Sequence, residues 1–238
     1  MASNSMGSLV AIALCACALS ALAARDLAED SSMVMRHEHW MAKYRRVYND
    51  ATEKSRRLEV FKANVAFIES VNARNDKFWL EANQFADITN DEFRATHTGH
   101  KLSVGGSKAY TGADGTCSSN RTSSSAASIK GHDDVLANDE ASLQKAVAAQ
   151  PVSVALDGGD DLFRFYKGGV LSGDCGTELD HGVAAVGYGV ADDGTKFWVI
   201  KNSWGTSWGE DGYIRMERDV TDKQGLCGLA MQPSYPTA

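Results

Sequence analysis

Two segments in the C-terminal half carry side chains that can move a proton. In LDHGVAAVGYG, His181 stands ahead of a run of small and apolar residues; in VIKNSWGTSWGEDGY, Asn202 stands between an apolar run and a Gly/Trp-rich turn. An imidazole can take the proton of a thiol and so activate it as a nucleophile. An amide can hold that imidazole in one orientation, the part a carboxylate plays beside the histidine of a serine-nucleophile site. A lone histidine is more often structural than reactive, so the pair carries more weight than either residue. The chain has five cysteines: Cys15, Cys17, Cys117, Cys175 and Cys227. The first two lie in an apolar N-terminal run. Cys117 lies in a Gly/Ser-rich stretch, without the helix N-terminus that would lower a thiol pKa. No Cys-Trp or Cys-Tyr dipeptide occurs.

A second pattern lies near the N-terminus. Glu53, Arg57, Phe61, Asn64, Ile68 and Asn72 recur at three- and four-residue steps, which places all six on one stripe of one helix. Spacing alone fits any amphipathic helix. The identities are more specific: they resemble, at every position, the E-x3-R-x3-F-x2-N-x3-I-x3-N signature of papain-family propeptides. Asn83, Phe85 and Asp87 resemble the second propeptide motif, G-x-N-x-F-x-D, with Glu81 in place of its glycine. The His181 and Asn202 segments resemble the same family, plant type.

That resemblance implies a cysteine-type endopeptidase, with His181 as base, Asn202 as its orienting partner and Trp204 shielding the bond between them. It also implies a disulfide between Cys175 and Cys227, by their flanks GDCG and GLCGLAMQPSYP. Ala155, Leu179, Gly182 and Gln232 would line the pocket for the second substrate side chain. Neither a metal nor a cofactor is expected. The partners implied are protein or peptide substrates, and the chain's own or a sibling's cleft for the propeptide. An alternative function is therefore a propeptide-type inhibitor of sibling proteases.

The nucleophile of this family sits in a C-G-[SA]-C-[WY] motif roughly 130–150 residues before the histidine and asparagine. Counting back from His181 reaches a window inside the N-terminal helices that contains no cysteine. Counting forward, the propeptide features end near Lys101 and the resemblance implies a nucleophile about 25 residues later, so the histidine would fall beyond about residue 250 and the chain is short by roughly 75–95 residues. The break is expected near Ala109–Tyr110, where a propeptide end abuts a stretch resembling the interior of the mature first domain. The missing part would carry the nucleophile, the oxyanion-hole glutamine and the central helix. Cys117 then resembles one end of a disulfide whose partner is gone, and the chain is expected to be catalytically inactive.

The elements that must position these residues follow from periodicity. No Pro or Gly occurs between Met33 and Thr98. Trp40, Tyr44, Val47 and Tyr48, and then Leu58, Phe61, Val65, Ile68 and Val71, fall at helical spacing, with Asn49 and Asp50 as turn formers between two helices. Residues 78–88 alternate in part as a strand would, and Thr89 or Asn90 can cap a helix after them. Residues 138–150 predict a helix capped by Asn138 and stopped by Pro151. Beyond it, VSVAL, HGVAAVGYG, FWVIKNS and GYIRMER read as strands separated by glycine-rich turns. The expected class is α+β: a helical inhibitor propeptide, then the mostly antiparallel second domain of a papain-like fold, with the first, helical domain largely absent.

The expected division is a signal peptide over 1–24, the propeptide over 25–101, a linker and first-domain remnant over 102–137, and the second peptidase domain over 138–238. The apolar run from Leu9 to Leu22, with Ala21 and Ala23 giving an A-x-A cleavage pattern at its end, supports the leader. No later run approaches the ~18 apolar residues of a membrane helix, so no membrane anchor is expected. Secretory routing is the corresponding expectation, ending in a vacuole or lysosome-like compartment or outside the cell. Asn120-Arg121-Thr122 is then a glycosylation sequon. The net charge of −7 resides in the second half: residues 25–101 carry 13 basic and 13 acidic side chains, and 102–238 carry 11 and 18. Neither half has the basic footprint of a nucleic-acid binder.

Overall fold

Arg45 sets the first boundary. Its backbone is left-handed, with φ of 54°, and this ends helix α1 (30–44) in the way left-handed residues close helices. The structure, a computed structural model, describes residues 30–74, 76–99 and 128–238. The leader, the Ala109–Tyr110 junction, Cys117 and Asn120 lie outside the described residues. Two compact units are present, divided after Lys62.

In the first unit, α1 is followed by the start of α2 (Ala51–Asn72), whose first turn is capped by Asp50 Oδ1 accepting from the Glu53 amide at 2.8 Å. Trp40 and Phe61 are buried, with ring centroids 5.5 Å apart, and Tyr44 and His37 complete the cluster. Val47 departs from the periodic reading. It lies past the turn at Arg45, in chain without regular structure, and is 89% exposed. Glu53 accepts from Arg56 and Arg57, which hold its carboxyl down at about 2.

In the second unit, the rest of α2 is tied to the chain that follows it. Asn72 Nδ2 donates to the Leu80 carbonyl at 2.9 Å and its Oδ1 accepts from the Leu80 amide at 2.8 Å. Asn64 Nδ2 donates to the carbonyls of Ala86 and Ile88. These asparagines pin strand β1 (Phe78–Leu80) and the turns after it. The strand is shorter than alternation over 78–88 suggests, because Asn83 Oδ1 takes the Phe85 amide and bends the chain into turns. Helix α3 (Asn90–His97) opens with a capping box: Thr89 takes the Glu92 amide and Glu92 takes the Thr89 amide.

The sheet is built from β1, β2 (Gly131–Asp134), β3 (Val152–Leu156), β4 (Tyr166–Leu171), β5 (His181–Val190), β6 (Lys196–Lys201), β7 (Tyr213–Glu217) and β8 (Ser234–Thr237), ordered β1-β4-β7-β6-β5-β3-β8-β2. Every pairing is antiparallel except β4 with β7. Helix α4 (Glu140–Ala149) buries Leu143 and Val147, and the strands bury Val152, Val154, Leu156, Ala185, Ile200 and Ile214. Each buried Val, Leu or Ile side chain among these contributes about 1.5–3 kcal/mol, and Ala185 less. Trp198 is fully buried on β6 and donates its Nε1–H to Glu140 Oε1 at 2.7 Å. The cap of α4 is Asp139, whose Oδ1 accepts from the Ala141 and Ser142 amides. Asn138 is unsuited to the role: its backbone is left-handed at φ 58° and its amide is bound to the Ala230 carbonyl. The short helix α5 (Asp161–Arg164) connects β3 to β4.

Candidate active site

His181 is the first residue of β5 and Asn202 the first beyond β6, so the pairing of those two strands places both at one end of the sheet. His181 Nε2 lies 2.8 Å from Asn202 Oδ1. The same oxygen accepts from the Ser203 amide at 2.7 Å, which identifies it as the carbonyl oxygen. Nε2 must therefore carry the hydrogen, and the Nδ1 lone pair is the basic atom of the ring. Trp204 stacks on the imidazole at 4.8 Å between centroids, and His181, Asn202 and Trp204 are all buried. Phe163 and Trp208 pack edge-on or tilted around Trp204 and complete an apolar wall. Among the described residues, Asn202 Nδ2 and Trp204 Nε1 have no hydrogen-bond partner.

The backbone before α5 comes close to the ring. A Cβ at Gly158 would stand 2.6 Å from His181 Cβ, so only glycine fits there. Gly158 also donates its amide to Asp180 Oδ1 at 2.8 Å. Burial raises the Asp180 carboxyl, and it pushes Asp160 up to about 6, with the neighbouring Asp161 and Asp157 charges adding to the effect.

The segment from Asn83 to His97 is seated on this same region. Asn83 Nδ2 donates to the Arg164 carbonyl at 2.7 Å. Arg164 is completely buried; it donates to the carbonyls of Phe85 and Ile88 and to Asp161, and burial lowers its pKa to about 10. Phe85 and Phe93 meet Trp204 edge-on at 5.5 and 5.1 Å. Arg94 reaches Asp157 Oδ1 at 3.0 Å and Asp180 Oδ2 at 2.9 Å. Asp87 is buried. Arg94, Asp157, Asp180 and Arg164 escape sequence reasoning because their partners are distant in sequence; even Asp180, which adjoins His181, carries no local sign of Arg94.

The remaining expected residues are placed as follows. Ala155 and Gly182 are opposite each other on β3 and β5. Leu179 is half-buried and lies against Gly228, while Gln232 is exposed. Cys175 and Cys227 form a disulfide with Cα atoms 5.0 Å apart. Glu53 and Phe61 lie in the first unit with Arg57; Asn64, Ile68 and Asn72 lie in the second. Among the described residues no cluster of three metal-binding side chains occurs, and no helix is long and apolar enough to cross a membrane.

Residues 83–237 match the family described as "Papain family cysteine protease", and residues 37–93 match "Cathepsin propeptide inhibitor domain (I29)". The chain is 45% identical over 334 aligned positions to "Senescence-specific cysteine protease SAG39" of Oryza sativa subsp. indica, covering 97% of this chain and 98% of the relative. It is 36% identical over 320 positions to "Senescence-specific cysteine protease SAG12" of Arabidopsis thaliana, covering 90% and 92%. Since 334 aligned positions face a chain of 238 residues, at least 96 of them fall opposite gaps in this chain. Among solved structures, the fold is similar to that of a recombinant stem bromelain precursor, with a TM-score of 0.78 at 32% identity, covering 87% of this chain and 99% of that one. It is also similar to the proform of the ragweed pollen cysteine protease Amb a 11, with a TM-score of 0.76 at 26% identity, covering 87% and 93%.

Proposed function

Given that the chain belongs to the papain family of cysteine proteases and carries a cathepsin-type inhibitor propeptide, we propose that it is an internally shortened endopeptidase precursor that keeps the base of the reaction but has no nucleophile. The observation that carries this reading is the His181 Nε2–Asn202 Oδ1 contact at 2.8 Å in a chain without a Cys-Trp or Cys-Tyr dipeptide. In this reading Asn202 Oδ1 accepts a hydrogen bond from Nε2–H and so fixes the tautomer whose Nδ1 lone pair can take a proton from a thiol. Trp204 covers the bond and keeps water from competing for Asn202 Oδ1, which strengthens it in a low-dielectric setting. Ala155, Leu179, Gly182 and Gln232 form the pocket for the second substrate side chain.

The missing part is the thiol. Cys175 and Cys227 are bridged to each other, Cys15 and Cys17 belong to the leader, and the Gly/Ser-rich sequence around Cys117 carries neither a helix-start signal nor a nearby histidine to ionise it. Without an activated nucleophile, covalent catalysis has no first step. The propeptide spans 25–101 in this reading, 102–137 is a remnant of the first domain, and 138–238 is the second peptidase domain. The propeptide binds the chain's own peptidase segment or a sibling's cleft. The leader over 1–24 directs the chain into the secretory pathway, toward a vacuole-like compartment or the cell exterior, with glycosylation at Asn120.

The test is direct. The full chain is acidified in reducing buffer, offered a fluorogenic peptide, and treated with a thiol-directed epoxide that labels papain-family nucleophiles. The expected result is no turnover and no labelled cysteine. Peptide hydrolysis together with epoxide attached to any one cysteine would refute the reading.

A further inference from the structure

Beside His181 the peptidase segment holds two carboxylates in fixed orientations. Asp157 is almost wholly buried; its Oδ2 accepts from the Glu178 amide at 3.2 Å, and its Oδ1 is left to face outward. Asp180 is anchored in the same way: Oδ1 takes the Gly158 amide and Oδ2 faces outward. Between these two outward oxygens lies the Arg94 guanidinium, Nη2 on Asp157 and Nη1 on Asp180. The floor under it is Gly159, where a Cβ would run into the guanidinium itself. Gly158 and Gly159 thus form a seam, with the imidazole packed against one residue and the cation against the next. We infer that Asp157, Asp180 and Gly159 form a subsite for a cationic peptide side chain beside His181, and that Arg94 of α3 is its occupant in the resting chain.

Three observations carry this beyond an ordinary surface ion pair. The fixed parts all belong to residues 157–180, and both carboxylates are oriented by backbone amides, so the fork is formed without help from Arg94. With Arg94 in place the Asp157 side chain is only 5% exposed. Asp157 and Asp180 converge on one position, and two carboxylates sharing a site repel unless a cation lies between them. Arg94 itself keeps 34% of its side chain exposed, so the subsite opens to solution and is accessible to another chain. The two oxygens come from different segments and meet two different nitrogens. That is the geometry of a planar guanidinium fork, and it favours an arginine side chain over the point charge of lysine.

This inference does not depend on catalysis, so it stands or falls separately from the proposal of inactivity. N-ethylguanidinium is the probe, and its binding to the full-length chain is followed by calorimetry, with amide exchange over β5 confirming an intact fold. The Arg94→Ala chain should bind it saturably, and bind N-ethylammonium at least about tenfold more weakly, a difference of 1.4 kcal/mol. The native chain, whose fork is filled, should bind neither. Gly159→Ala displaces the guanidinium with little backbone cost, and should accelerate amide exchange in residues 90–97 as Arg94→Ala does. The triple variant R94A/D157N/D180N retains the carbonyl acceptors for the Glu178 and Gly158 amides and should lose the binding. Equal binding by the R94A and triple variants, or no binding by a folded R94A chain, would overturn the inference.

Discussion

Among the described residues there are two histidine–tryptophan stacks, one in each compact unit. His37 and Trp40 lie a turn apart on α1, with rings 5.9 Å apart and nearly parallel at 9°. His181 and Trp204 come from opposite ends of the β5–β6 excursion, 4.8 Å apart at 26°. Both imidazoles are buried and ringed by aromatic side chains. The difference lies in what meets the ring nitrogens. His37 Nε2 is 3.3 Å from the Tyr48 hydroxyl, a group that can either donate or accept, so that contact by itself selects no tautomer. His181 Nε2 faces a carbonyl oxygen already committed to a backbone amide, which can only accept. Burial and stacking alone do not make a base; a one-way partner on one nitrogen directs the other toward chemistry.

The comparison can be broken most forcefully at the tryptophans. Trp204 touches His181, Phe85, Phe93, Phe163 and Trp208, whereas Trp40 touches His37, Tyr44 and Phe61 among the ring contacts. Trp204→Ala should destabilise its unit by about 3–5 kcal/mol, with Trp40→Ala at the low end of that range. Urea unfolding read by amide exchange in each unit measures both. Equal losses would remove the distinction between the two stacks.

The next effect is electrostatic and runs in opposite directions in the two units. Asp160 has its pKa raised from 3.8 to about 6, so between those values the folded chain binds more protons than the unfolded one. Its contribution is unfavourable above about pH 6 and fades as the pH falls. Asp160→Asn should therefore stabilise the fold at pH 7 by at most about 3 kcal/mol and leave it unchanged near pH 3. Thermal melts across that range test the sign. Glu53 in the other unit is the reverse case, lowered from 4.5 to about 2 by Arg56 and Arg57. Its stabilisation is present above pH 4.5 and is lost as the pH falls through about 2. This is the smallest effect, because the group is exposed. NMR titration of the Glu53 carboxyl in the native chain and in Arg57→Ala measures it, with a higher midpoint expected in the variant.

Legibility followed the range of the interactions. Helix α2 and strands β3, β5, β6 and β7 are readable because their apolar residues recur at the local period. Strands β2, β4 and β8 are not. β2 is GHDD, with three exposed side chains, β8 contains Pro236, and β4 carries two glycines where it pairs with β1. Their strand state comes from neighbours distant in sequence. The same division applies around the site. His181 and Asn202 stand out through their flanking motifs. Asp180 adjoins His181 in its motif, but nothing local ties it to Arg94 or Asp157, so the arrangement of the three becomes visible only when the fold brings their segments together. Asn138 and Asp139 show the limit at the scale of one residue: both can cap, and a backbone bond to Ala230 decides between them.

The pairing of β1 with β4 has a consequence for solubility. At one end of the sheet, the rim is a three-residue strand; at the other it is β2, short and acidic. Such rims give another chain little to add to. A chain beginning at residue 102 would lack β1, and the rim would pass to β4, six residues long and buried at all but one position. Removal of the N-terminal segment would thus expose an apolar row of unpaired amides and carbonyls suited to strand addition. Concentration-dependent precipitation of that shortened chain, at concentrations where the full chain stays in solution, is the corresponding observable.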